Sequence, residues 1–227
     1  MENRHPKHLS YSSLSKFETC PRCWWLGYVK NIWPPKNENL IFGKKIHEAT
    51  YKFIKTGEQP LDTIQYTSTF KKLYPNPTFV AIEQEFLVPF INPLTKEELP
   101  VPIKGYIDWV DESGWLHDIK TSSRPYARNR VDDDKQLTLY AYAYRRLFGK
   151  EERGVRFDVF VKNVKPICIP YSSCRTDEQI AAAWNWAQDI WWQIERMVKD
   201  GNPPEKHTQN CWNPDYEKGG VENASIM

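Results

Sequence analysis

The chain has 227 residues, with 31 Lys and Arg against 29 Asp and Glu and a net charge of +2, so bulk charge argues only weakly for nucleic acid and local clusters must carry any such contact. A hydrophobic content of 40% permits one domain with a sizeable core, or one core plus a small accessory piece; a single domain, 1–227, is the expectation. No apolar run reaches membrane-spanning length, no signal peptide heads the chain, and five cysteines fit poorly with a secreted disulfide framework, so the expectation is an intracellular, cytoplasmic protein.

Residues 1–9 read as a loose terminus. A helix then starts in the run 10–17, with Ser12 or Ser13 as its N-cap, and ends near Cys20-Pro21-Arg22-Cys23. Pro21 opens a second helix, to about Val29, rich in Trp and aliphatics. Pro34-Pro35 begins a loop. The run 40–54 is helical, with Ile46, Thr50 and Phe53 or Ile54 on one stripe and His47 beside it. Residues 57–78 are polar and punctuated by proline, with a short helix around 61–73. A strand follows at 79–88 and a loop at 89–102. The run 105–120 places two β-prone segments around Asp111-Glu-Ser-Gly114, a hairpin signal. Residues 132–149 form a helix whose acidic start and basic end suit its dipole and whose C-cap is Gly149. Gln136, Tyr140 and Tyr144 recur on one face of it. Strands follow at 154–162 and 165–171. Thr176-Asp-Glu-Gln179 is a capping box for a long helix, about 177–200, with Trp184, Trp191, Ile194 and Val198 as its apolar stripe. The order of elements specifies a mixed α/β domain with a small central sheet.

Chemistry concentrates in the hairpin. Asp118 and Lys120 are two apart on the second strand and share one face. Asp108, on the first strand, opposes Asp118 if the connecting loop spans five residues, 111–115, or if the strand bulges or bends at Asp108. Two carboxylates and a lysine at one spot are costly to bury without compensation, and a divalent cation of the magnesium or manganese kind would supply it. The plain alternative is a surface hairpin with ordinary charged residues. His47 is either a structural residue of its helix or, if that helix packs over the hairpin, a further ligand. Lys44, Lys45 and Lys52 form one basic cluster, and Arg124, Arg128 and Arg130 another; each is either a solvated face or a phosphate-binding patch.

Five short runs then occur in one order: Ser12-Ser13-Leu14 with Phe17 and Cys20-Pro21-Arg22; Gly43-Lys-Lys-Ile-His47; Gly105-Tyr-Ile-Asp108; Asp118-Ile-Lys120-Thr121; and Gln136-Leu-Thr-Leu-Tyr140. In these the chain resembles the PD-(D/E)XK nuclease superfamily, in its RecB-like branch that includes Cas4 and the AddB nuclease domain. The resemblance covers roughly residues 10–216. It implies a restriction-endonuclease-like core, α+β, with a small mixed sheet flanked by helices. It implies that His47, Asp108, Asp118 and the carbonyl of Ile119 bind one or two Mg2+ or Mn2+ ions. Lys120 would position or help deprotonate the attacking water and neutralise developing charge. Gln136 and Tyr140 would hold the DNA strand or orient the lysine and the metal ligands. Arg124, Arg128 and Lys44 would meet phosphates, and Trp24, Trp25 or Trp33 either stack on bases or pack in the core.

The implied activity is a metal-dependent deoxyribonuclease, an exonuclease on DNA ends or single strands in recombination, repair or phage DNA processing. A helicase or recombination protein is the implied partner class, and a bacterial, archaeal or phage-infected cell the implied setting. The alternatives are a Cas4-like processing nuclease or partner-dependent subunit, and a non-catalytic DNA-binding or zinc-bearing interaction module.

The cysteines depart from the pattern. Iron–sulfur members of the branch use one cysteine before the core and three near the C-terminus. Here Cys20 matches the first, only Cys211 remains of the others, and Pro214 stands where a second would fall, so a 4Fe-4S cluster is not expected. Cys20-x-x-Cys23 with His207-x-x-x-Cys211 has the ligand types and spacing of a structural Zn2+ site. The other reading is a packing remnant of a lost cluster, with the N-terminal segment (about 10–33) and the C-terminal tail (about 201–227) docked together. Cys168 and Cys174 read as structural.

Overall fold

Strand β4 (Gly154–Val161) is apolar on both faces, Val155, Phe157, Val159, Phe160 and Val161 all being buried, and this makes it an interior strand. It runs parallel to β3 (Trp115–Ser122) and antiparallel to β5 (Ile167–Ser173) in a five-stranded mixed sheet of order β1-β2-β3-β4-β5, completed by β1 (Ala81–Val88) and β2 (Ile103–Val110). The computed structural model describes residues 5–35 and 37–208. These fall into two compact units.

The larger unit, Asn37–Val88 with Gly105–Ile180, holds most of the sheet. Helices α3 (Glu38–Thr56) and α4 (Ile64–Leu73, preceded by a 3-10 turn) cover one face. Ile46, Phe53 and Ile54 of α3 and Phe70 of α4 pack there with Trp109, Ile119 and Phe160. Asn37 caps α3 and Gly57, at φ 74, ends it. On β3, Ile119 belongs to that core, so Asp118 and Lys120 point to the opposite face. That face carries α5 (Lys135–Phe148), capped by Asp134 and terminated by Gly149 at φ 66. Gly105 serves this packing. A Cβ there would lie 2.5 Å from Cζ of the buried Phe86 ring, which meets Tyr140 edge-on.

The smaller unit's described residues are 5–35, 89–104 and 181–208. It holds α1 (Tyr11–Thr19), α2 (Pro21–Tyr28) and most of α6 (Asp177–Asp200). Trp184, Trp191, Ile194 and Val198 are all buried, and Trp184 Nε1 donates to Phe90 O at 2.9 Å. The capping box is present: Thr176 and Gln179 exchange backbone-to-side-chain hydrogen bonds at 3.0 and 3.3 Å.

Four sequence expectations change. The terminus is not loose at Leu9, which is fully buried and bridges to Ile103. That bridge keeps the chain extended, so Ser10 rather than Ser12 or Ser13 caps α1, its Oγ accepting from Ser13 N–H at 3.2 Å. The segment 89–102 is not plain loop: Ile91 bridges Glu98 across a turn in which Asn92 Oδ1 accepts from the N–H groups of Leu94 and Thr95. Cys174 is exposed, whereas Cys168 is buried. Among the described residues, no helix is long and apolar enough to cross a membrane.

Candidate active site

The turn between β2 and β3 sets the site. Val110 pairs with Leu116 and Trp109 with His117, which leaves five residues, 111–115, in the connection. Asp111 starts it by accepting from Trp115 N–H through Oδ1 (2.9 Å) and from Gly114 N–H through its carbonyl (3.0 Å). Gly114 closes it at φ 85, where a side chain would be strained. One step further along this register, Asp108 falls opposite Asp118. The two strands are tied there by a side chain: Ile119 N–H donates to Asp108 Oδ2 at 2.7 Å.

Both acids are buried, Asp108 at 8% and Asp118 at 1% relative exposure. Helix α3 brings in His47, whose Nδ1 lies 3.5 Å from Asp108 Oδ2 and 3.1 Å from the Tyr51 hydroxyl. Tyr51, one turn on, also bonds Asp108. From the other strand, Lys120 Nζ lies 2.6 Å from Asp118 Oδ2 and donates to Gln136 Oε1 at 2.8 Å. Gln136 Nε2 in turn donates to the buried Tyr140 hydroxyl at 2.8 Å. One continuous chain of contacts therefore links His47, Tyr51, Asp108 and Ile119, and a second links Asp118, Lys120, Gln136 and Tyr140.

Burial dominates the electrostatics. It pushes Asp108 up to about 6 and Asp118 up to about 7, against the pull of the Lys120 ammonium on each. Burial alone would lower Lys120, but Asp118 outweighs it and the amine is held above its usual range. Burial lowers His47, which keeps the ring neutral and able to ligate. Burial and the neighbouring Asp108 raise Tyr51, so its hydroxyl stays a donor. With both acids ionised, two negative charges meet one positive charge in a dry place. That deficit, and a donor set of carboxylates with one neutral imidazole, suit a divalent cation.

The raised acids lead to a pH prediction. An unfolded aspartate titrates near 3.9, so burying Asp108 makes stability fall as pH rises from about 3.9 to about 6, where the folded acid has ionised too. Asp108→Asn keeps an acceptor for Ile119 N–H and removes the charge. In chelator at pH 8 the variant is expected to be more stable than the parent by about 1–3 kcal/mol, and the gain should fall to about half near pH 5 and vanish only below about 3.9, where the unfolded acid is protonated as well. Thermal denaturation across this pH range reads both.

Other candidates stand apart from this convergence. Lys44 is exposed and lies 3.6 Å from Glu48, and Arg124, Arg128 and Arg130 lie on the exposed segment after β3. Trp24 and Trp25 are buried and Trp33 is exposed. Cys20, Cys23 and His207 meet in the smaller unit, and Cys211 lies outside the described residues. Hydrogen bonds from the N–H groups of Thr208 and Cys23 and from His207 outweigh burial and bring the Cys20 thiol down to about 6.

Two residues were missed in the sequence. Tyr51 had a signal, its i+4 spacing from His47 on one helix face. Glu83 had none. It sits in β1 at φ 52, an unusual backbone for a non-glycine residue, and its charge acts on Asp108, His47 and Tyr51.

The "Putative exonuclease" of Eubacterium rectale superposes at a TM-score of 0.59 with 12% identity, covering 97% of this chain and 91% of that one. SSO0001 superposes at 0.49 with 15% identity, covering 90% of each chain. No curated protein matches the sequence. At 12% identity the first superposition speaks for fold alone; lineage comes from the family match, which runs over residues 8–216. On that match, the chain belongs to the PD-(D/E)XK nuclease superfamily.

Proposed function

We propose that this chain is a divalent-metal-dependent deoxyribonuclease of the RecB-like branch that removes nucleotides from DNA ends or single strands. The reading takes the whole chain as one nuclease domain. The observation that carries it is the approach of His47 to within 3.5 Å of Asp108 while Lys120 sits 2.6 Å from Asp118 across the same hairpin. Nucleases of the superfamily generally use divalent metals such as Mg2+ or Mn2+. His47, Asp108, Asp118 and the carbonyl of Ile119 would hold the ion. When bound, it supplies an acidified water and positive charge beside the non-bridging phosphate oxygens.

The chain's own residues do the rest. Lys120 keeps its proton in the resting site, so it acts as a fixed cation for charge developing on the phosphate and orients the attacking water through its N–H donors. Gln136 anchors Lys120, and Tyr140 anchors Gln136, which makes these two positioning residues. Tyr51 holds His47 and Asp108 in register. Lys44 and Arg124, exposed outside the site, serve the DNA backbone. Recombination, repair or phage DNA processing is the proposed setting, with a helicase or recombination protein as the partner class.

End-labelled linear single- and double-stranded DNA and circular single strands, each with Mg2+, Mn2+ or EDTA, test the reading. Linear substrates should shorten from their ends only with metal, and circles should survive. Asp118→Ala should be inactive yet folded. Wild-type cleavage by that variant, or cleavage undiminished in EDTA, overturns the assignment; rapid cutting of circles overturns the end-directed mode alone.

A further inference from the structure

The cysteine cluster lies apart from the hairpin chemistry in the sequence. Cys20 is the extended residue between α1 and α2, and its Sγ accepts from Cys23 N–H at 3.4 Å. The two sulfurs are thereby turned to one side of the helix start. His207 arrives from the other end of the described chain. Its Nδ1 lies 3.5 Å from Cys20 Sγ and 3.2 Å from Cys23 Sγ, and the three ligand atoms lie within 4.8 Å of one another. Both cysteines are buried, at 2% and 6% exposure, among Leu26 and Ile32.

An imidazole nitrogen has either one lone pair or one proton, so it cannot satisfy two thiols separately. Three atoms aimed at one point suit a shared cation better. In a tetrahedral zinc site with Zn–S of about 2.3 Å and Zn–N of about 2.0–2.1 Å, the S···N edge is about 3.6 Å. The two separations in this protein fall at and just below that edge. An iron–sulfur cluster spreads its thiolates over several irons, which sets the ligand atoms further apart than atoms that share one ion.

The approach is braced on either side of His207. Arg22 donates to Pro204 O at 3.1 Å, and Thr208 Oγ1 donates to Thr19 O at 2.6 Å. Cys211 follows His207 by four residues, and His-x-x-x-Cys is a spacing that zinc sites use.

We propose that Cys20, Cys23 and His207 ligate a structural zinc ion, and that the ion clips residues 204–208 to the corner between α1 and α2. Folding and metal binding are then coupled within this unit, independently of any metal in the hairpin.

Metal analysis of the full chain, purified without chelator, is expected to find one zinc ion per chain. Cys23→Ser and His207→Ala should lose it, and Asp118→Ala should keep it. Because the first two variants lose the clip that couples metal binding to folding, the unmodified chain is also stripped and reloaded with Co2+ alone. It should show thiolate-to-cobalt charge-transfer bands and the intense visible bands of tetrahedral cobalt. A chain that holds no zinc and gives only an octahedral cobalt spectrum overturns the proposal. So does a brown chromophore with iron and acid-labile sulfide, or zinc retained in folded Cys23→Ser.

Discussion

Lys120→Met is expected to lower metal-dependent cleavage by about 10²–10³-fold or more, while the chain stays folded. Methionine matches the length of the lysine and removes only the ammonium and its donors. In the site that ammonium lies beside two raised acids, with Asp118 at 2.6 Å and Gln136 at 2.8 Å. Losing it removes the charge that would meet the phosphate and leaves Asp118 without its partner. Gln136→Leu gives a graded comparison. It keeps the ammonium but frees it from its anchor, so a loss of about tenfold, confined to turnover, is the expected signature of positioning. Single-turnover cleavage and a circular dichroism melt of each variant read both outcomes. A Lys120→Met rate equal to the parent's would remove the lysine from the mechanism.

The other face of β3 predicts the largest change in stability. His117 and Asp158 are fully buried, and His117 Nδ1 lies 2.8 Å from Asp158 Oδ2. Tyr74 OH donates to Asp158 Oδ1 at 2.7 Å, and Arg156 donates to Tyr74 OH at 3.2 Å. Trp109 stacks on the imidazole at 3.7 Å between ring centroids. Asp158→Ala would take the nearest partner from the fully buried imidazole, leaving it Asp111 at 3.5 Å from Nε2, and would take the acceptor from the partly buried Tyr74 hydroxyl. A loss of about 3–5 kcal/mol follows from breaking such a buried pair, and denaturant unfolding measures it. Asp158→Asn, which can still accept from Tyr74, should lose clearly less. Equal stability of Asp158→Ala and the parent would mean that the network contributes nothing net.

Much of the larger unit can be read before any coordinates. Turn residues at 111–114 announce the hairpin but leave its length open: Asp108 faces Asp118 because Trp115 joins the connection and makes it five residues, which the pairing of Val110 with Leu116 decides. Asp134, Gly149 and the Thr176 box announce helix ends through local chemistry alone. What stays hidden is decided by distant partners. Leu9 looks like tail until Ile103 pairs with it. His117 lies inside the very run that carries the acids, but its partners Asp158 and Tyr74 are far along the chain, and no spacing connects them. Glu83 reads as one more strand residue, since nothing in its neighbours specifies a positive φ.

The five-residue connection between Val110 and Leu116 also limits how this gene can drift. Glu112 and Ser113 are exposed and can be exchanged freely, yet gaining or dropping a single codon there would rotate everything downstream by half a pleat. Asp118 and Lys120 would then turn towards the packed layer of α3 and α4, and Ile119 towards Asp108. Descendant lineages should therefore vary this tip in letters and never by one in length.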